Sequence, residues 1–231
     1  MRYRAPMLPW KILEQAHAPD GTILELRVRG HEYLIRAGGR DLMSADDVGS
    51  SKALGELGCA HVEHAPAPRV LVGGLGMGYT LRAALDHTGP GAVVEVAELV
   101  PAVVEWNRKW LGELAGHPLD DPRTVVIDGD VGARIREGKA AYDAILLDVD
   151  NGPDALAHAG NESLYGERGI AEARAALRPG GVFGVWSFSD DPGFTRRLQR
   201  GGFAPHLHRV PASRKGRGRH HFVWIATRTK T

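Results

Sequence analysis

The chain has 231 residues, a length that suits one domain with a small appendage, and a net charge of +1 that argues neither for nor against a nucleic-acid partner. Its 43% apolar and 25% charged residues are the balance of a folded globular chain and exclude a disordered one. The single cysteine, Cys59, excludes an intramolecular disulfide, and no run approaches the ~18 apolar residues of a membrane helix, so a cytoplasmic protein is expected.

Residues 10–43 read as β. From Thr22 to Arg29 the chain alternates, with Leu24, Leu26 and Val28 on one side and Glu25, Arg27 and Arg29 on the other, the period of a half-buried strand. Gly30 ends it, a second strand covers about His31–Arg36, and Gly38-Gly39 turns the chain again. Residues 50–58 read as a helix capped by Ser50 or Ser51, with Leu54 and Leu57 on one face. The expected division is a small N-terminal antiparallel β unit with a linking helix over 1–60 and a main domain over 61–231.

From Arg69 the pattern becomes strand, turn, helix, repeated. Arg69–Gly73, Ala92–Glu98, Thr124–Asp128, Asp143–Asp148 and Gly181–Ser187 are short apolar runs without alternation, as in parallel strands buried on both faces. Helices are predicted at about 78–87, 101–114, 132–138 and 166–177, with Pro101 in a first turn and Pro179-Gly180-Gly181 as a stop. This order predicts an α/β fold, a Rossmann-like, doubly wound, mostly parallel sheet. Residues 202–228 read as an antiparallel strand pair around a basic loop, 214–219, taken as a solvated hairpin loop. Trp106 and Trp110, four apart on one helix, read as packing. His206 and His208, and His220 and His221, lie on predicted strands without a cysteine or carboxylate at ligand spacing, so no metal is expected.

Three features point to a nucleotide. Gly74, Gly76 and Gly78 follow the first parallel strand, where glycine lets the backbone turn sharply and a ligand approach. Glu98 ends the next strand, twenty residues after Gly78, where a carboxylate accepts from ribose hydroxyls; Glu95 falls mid-strand and reads as structural. A dinucleotide fingerprint needs glycine three residues after Gly76, and that position is Tyr79, so the spacing fits a ligand carrying adenosine alone. Asp130 follows the third strand and has two readings, an acceptor for an adenine amino group or a helix cap. Asp148 ends the fourth strand and opens an acidic loop with Asp150, while Asp143 precedes the apolar run and reads as structural. A carboxylate there can take the proton of an attacking amine; the alternative is that both acids cap the loop.

These segments together resemble the spermidine synthase family of aminopropyltransferases, within the class I S-adenosylmethionine-dependent methyltransferase fold. The resemblance covers about residues 20–190 and rests on Leu71–Gly78, Ala97-Glu98-Leu99-Val100-Pro101, Gly129-Asp130, Tyr142–Pro153, and Leu164-Tyr165 leading to Leu177–Gly181. It implies that Gly74, Gly76 and Gly78 line the tail of S-adenosylmethionine or its decarboxylated form, the co-substrate. It also implies ribose at Glu98, adenine at Asp130, catalysis at Asp148 and Tyr165 on the acceptor side, while a second contact at Asp150 is read from the acidic loop itself. A small-molecule amine acceptor and a homodimer using the N-terminal strands follow from the same resemblance. The pattern departs in three places. Asp150 follows Asp148 by two residues where the family has three, Ser187-Phe188-Ser189-Asp190-Asp191 stands for a Gln-Gly-Glu segment, and Gly49-Ser50-Ser51-Lys52 stands for a Tyr-x-Glu segment. Aminopropyl transfer, methyl transfer on the same fold, and nucleotide binding without catalysis are therefore the readings the sequence carries forward.

Overall fold

The computed structural model describes residues 8–46, 48–149, 152–153, 162–213 and 218–230. Four strands, β1 (Lys11–His17), β2 (Ile23–Arg29), β3 (Glu32–Ala37) and β4 (Arg40–Ser44), form an antiparallel meander. Leu24, Leu26 and Ile35 share a buried face, so the alternation read in Thr22–Arg29 is that of a strand with one dry face, while Leu34, paired with Arg27, is buried on the other.

Helix α1 (Val48–Cys59) leads to the main sheet. Ser50 and Ser51 do not cap it: they lie inside its first turn and are buried, because this helix starts two residues earlier than the apolar pattern does. The main unit continues β5 (Arg69–Gly73), α2 (Tyr79–Asp86), β6 (Val93–Glu98), α3 (Pro101–Trp106), β7 (Thr124–Asp128), α4 (Val131–Glu137), β8 (Tyr142–Leu147), α5 (Glu162–Tyr165), α6 (Glu167–Ala176), β9 (Leu177–Ser187), α7 (Pro192–Arg200), β10 (Phe203–Pro211) and β11 (His220–Arg228). The order across the sheet is β10-β11-β9-β8-β5-β6-β7, parallel from β7 to β9 and closed by the antiparallel hairpin β10–β11. The order reverses between β5 and β8, and at such a switch point open α/β sheets bind ligands.

Val70, Leu71 and Val72, like Ala144–Leu147, are wholly buried, as expected of central parallel strands. Strand β7 is not: it is the sheet edge, and Val125 is 42% exposed. The predicted helix over 101–114 is broken. After Trp106 a π turn covers Asn107–Leu111 and a 3-10 turn covers Gly112–Ala115, ending at Gly116 with φ +67°. Trp106 stays in the core, and Trp110 packs against it while its Nε1 donates to Glu14 at 3.0 Å. Helix α6 gives way to β9 at Leu177, ahead of the Pro179 stop, and α7 is an element that the apolar pattern did not show.

Two acids read as structural hold the frame. Glu95 is 2% exposed and accepts from Arg69, Arg134 and the Tyr142 hydroxyl. Burial works to raise its pKa, but these donors outweigh it and the net shift is downward. Asp143 accepts from the Arg69 N–H at 2.8 Å and from Arg178 Nη1 at 2.6 Å.

Helix α1 crosses α2 at Gly55, where an added Cβ would stand 2.5 Å from Ala83 Cβ and 2.9 Å from Thr80 O. Backbone lies on the far side of that contact, so no side chain can yield. Gly55→Ala is expected to cost about 1–3 kcal/mol of unfolding free energy by overpacking, read as a lower urea midpoint at unchanged slope.

Candidate functional site

The turn after β5 is a chain of backbone commitments. Gly74, Gly76 and Gly78 have φ of +83°, +50° and +83°, a region that only glycine enters freely. Gly74 N–H donates to Ala97 O at 2.9 Å, and Gly78 N–H donates to Leu75 O at 2.7 Å. A Cβ on Gly74 would meet Asp148 O at 2.5 Å, and one on Gly76 would meet Met43 Sδ at 3.0 Å. The turn thus lies between the exit of β8 and the last strand of the N-terminal sheet. Asn107, at the start of the π turn, fixes it from below: its Nδ2 donates to Gly76 O at 2.8 Å and to Val103 O at 2.9 Å.

Glu98 ends β6 beside this turn and is 8% exposed. Its Oε2 accepts from Leu75 N–H and its Oε1 from Val100 N–H, each at 2.9 Å. Burial raises its pKa, opposed by these backbone donors. The Leu99 and Gly76 backbones also donate to it, so the carboxylate is fixed in direction by main-chain N–H groups at the edge of the glycine turn. Asp130 sits one strand further out and is the cap of α4, accepting from Gly132 N–H at 2.9 Å and Ala133 N–H at 3.0 Å. Its side chain is 53% exposed, so the cap fixes the carboxylate while leaving it open to solvent.

Asp148 follows β8 and points to α1 and α2. Its Oδ2 is 2.5 Å from Thr80 Oγ1, it bonds the Ser51 side chain, and Thr80 Oγ1 is also 3.1 Å from Ser51 O. A single hydroxyl proton cannot serve both oxygens. When Thr80 donates to Ser51 O, Asp148 must hold a proton and donate it to Thr80. Burial raises its pKa, in line with that count. Tyr165 is wholly buried, edge-on to Phe194 at 5.9 Å, and its hydroxyl donates to Val149 O at 3.3 Å, so it reaches the site through the backbone next to Asp148. Asp150 and most of the loop that follows lie outside the described residues.

The site therefore gathers Gly74, Gly76, Gly78, Glu98 and Asp148 at the switch point, with Asp130 one strand further out. Ser51, Thr80 and Asn107 belong to it as well. Ser51 was read as a cap, Thr80 follows the glycine turn without a motif of its own, and Asn107 is placed by a π turn that no periodicity announces.

A carboxyl whose folded-state pKa is raised favours folding at low pH and loses that contribution as pH rises through the folded value. Asp148→Asn removes the cost of the partly buried charge. It is expected to gain about 1 kcal/mol in unfolding free energy at pH 8, with the gain vanishing below the ordinary carboxylate range, as read by urea unfolding against pH.

Comparison with known proteins agrees with this frame. Over 126 residues the chain is 36% identical to polyamine aminopropyltransferase 1 of Streptomyces coelicolor, a stretch covering 54% of this chain and 23% of that protein. It spans less than half the length of the curated relatives it matches. In structure it resembles spermidine synthase from Thermotoga maritima, with a TM-score of 0.74 at 19% identity, over 96% of this chain and 73% of that one. A spermidine synthase in complex with the transition-state analogue AdoDATO is similar at a TM-score of 0.72 and 18% identity, over the same shares. At these identities the likeness shows the fold. The model of the spermine/spermidine synthase domain matches residues 54–195, more than half of the chain, and on that match the chain belongs to the spermine/spermidine synthase domain family.

Proposed function

We propose that this chain is a transferase that moves an aminopropyl group from decarboxylated S-adenosylmethionine to an amine, with Asp148 as the base. The observation that carries the reading is the half-buried Asp148 carboxyl just after β8, beside the glycine turn and bonded to hydroxyls. In this reading the turn at Gly74, Gly76 and Gly78 takes the donor's tail, Glu98 takes the ribose and Asp130 the adenine amino group. Asp150 adds a second acceptor contact, and Tyr165 holds the segment at Val149. The cradle fits such a donor because the turn is side-chain-free at three positions and the Glu98 carboxylate is fixed beside it. The exposed Ile12, Ile23 and Leu42 of the N-terminal sheet support a homodimer.

The donor's sulfonium supplies an electrophilic methylene and a neutral thioether leaving group. Little acid catalysis is needed on the leaving side, so placement of the amine dominates. The amine nitrogen forms the new C–N bond as the C–S bond breaks, and its proton passes to Asp148. For that the carboxyl must be ionised, and Thr80 then turns its hydroxyl from Ser51 O to Asp148. A raised pKa brings the base nearer the working pH.

Asp148→Asn is expected to keep donor affinity and lose about 10²–10⁴-fold in turnover. Wild-type turnover should fall as pH drops through the raised Asp148 value. The assay is chromatographic release of methylthioadenosine from decarboxylated S-adenosylmethionine. Formation of S-adenosylhomocysteine from S-adenosylmethionine instead, or unchanged turnover in the variant, would overturn the reading.

A further inference from the structure

Two buried polar atoms stand near Asp148 and take no part in the reaction as derived. His221, at the start of β11, is 4% exposed, and its Nδ1 meets the Ser50 hydroxyl at 2.8 Å. Among the described residues its Nε2 has no hydrogen-bond partner, and neither has Trp186 Nε1. The two rings meet edge to face with centroids 4.8 Å apart. A buried polar group left unpaired costs about 1–3 kcal/mol. Two in one place require an explanation.

The sheet register sets this pair in line with the base. Leu147 pairs with Val185, so Asp148 and Trp186 occupy the next level of β8 and β9. Trp186 pairs with Val223 and Ser187 with Phe222, which puts His221 opposite Phe188. Leu146, Trp186 and Val223 pack in one cluster with Leu54 of α1, so the row faces that helix. The first turn of α1 spans it, Ser51 on Asp148 and Ser50 on His221. With strands about 4.8 Å apart, the second cluster stands about 5–10 Å from the base.

The chemistry of the cluster is that of donors. The indole N–H can only donate. Burial first, then Arg219 and His220, push the His221 pKa down to about 4, so the ring is neutral and donates from Nε2 when Ser50 donates to Nδ1. The Arg219 guanidinium lies 5.2 Å over the Phe188 ring, which is 5.6 Å from the imidazole. Two N–H groups backed by a cation suit an oxyanion and oppose an ammonium, which brings only donors of its own.

The geometry points to a subsite in which Trp186, His221 and Arg219 receive a carboxylate at the far end of the acceptor, whose amine meets Asp148. The acceptor is then an ω-amino acid of about four to six carbons, by the strand spacing, and not a diamine. This inference rests on the amine-transfer reading of Asp148.

The test uses the full chain labelled with nitrogen-15 and two probes of equal length, 4-aminobutanoate and 1,4-diaminobutane. The readout is the indole N–H resonance of Trp186, assigned with Trp186→Phe. It requires no transfer and so stands apart from the activity. The expected result is a shift with 4-aminobutanoate at an affinity about tenfold tighter than the diamine's, a gap of about 1.4 kcal/mol. His221→Phe should weaken that binding about tenfold, and the exposed Arg219→Gln should weaken it several-fold, both with unchanged methylthioadenosine affinity. Tighter binding of the diamine, no shift with either probe, or unchanged affinity in both variants overturns the subsite. A Trp186 shift without product from either amine upholds the subsite and overturns the transfer reading. Product from the diamine alone does the reverse.

Discussion

The backbone at Gly74 passes so close to the carbonyl of Asp148 that a single added carbon would stand 2.5 Å from that oxygen. Most of the site depends on this approach. It fuses the turn after β5 to the exit of β8, the two strands between which the sheet reverses. The Asp148 N–H donates to Gly73 O at 2.9 Å, so the acid's own backbone is tied to the same turn. Thr80, two residues beyond the turn, then falls within 2.5 Å of the Asp148 carboxyl. An alanine at Gly74 would face both a left-handed φ and a carbonyl that cannot move without breaking that ladder.

Three acids near this edge differ because their surroundings differ. Glu95 is held by two guanidinium groups and a phenol, which keep it ionised and make it part of the frame. Glu98 is held by backbone N–H groups, which fix its direction without cancelling its charge. Asp148 is held by hydroxyls, which can donate or accept, so it alone of the three has neighbours that adapt to either protonation state. A base needs that property and a frame residue does not.

Much of this was legible in the sequence where the physics is local. Val70-Leu71-Val72 and Ala144–Leu147 had to be buried strands because their runs leave no polar face, and three glycines at alternate positions required a turn that side chains forbid. The choice of Glu98 over Glu95 followed from strand position. What escaped depends on neighbours. Whether Thr124–Asp128 is central or at an edge is set by sheet order, which no strand states by itself. The break after Trp106 is a π turn stabilised by Asn107 bonding to Gly76, a contact across 31 residues. Ser50 and Ser51 are the residue types that cap helices, but depth decided their use, and depth comes from α1 lying against β9 and β11.

Helix α1 is where the departures from the family pattern acquire physical sense. The pattern expects carboxylate on this segment and at the end of β9, and here the chain places Ser50, Ser51, Ser187 and Phe188. Taking an ammonium out of water is repaid only by fixed negative charge or by acceptors that replace its hydration. An indole N–H and an imidazole N–H bring donors and no fixed negative charge, which suits an anion or a neutral oxygen better than a cation. With its first turn, α1 touches both Asp148 and His221, through Ser51 and Ser50. Gly55, one helical turn on, lets the same helix settle onto α2 and so onto Thr80. The surroundings of Asp148 and of the subsite proposed at His221 are thus shared by one helix, and a change in how α1 seats would move both together.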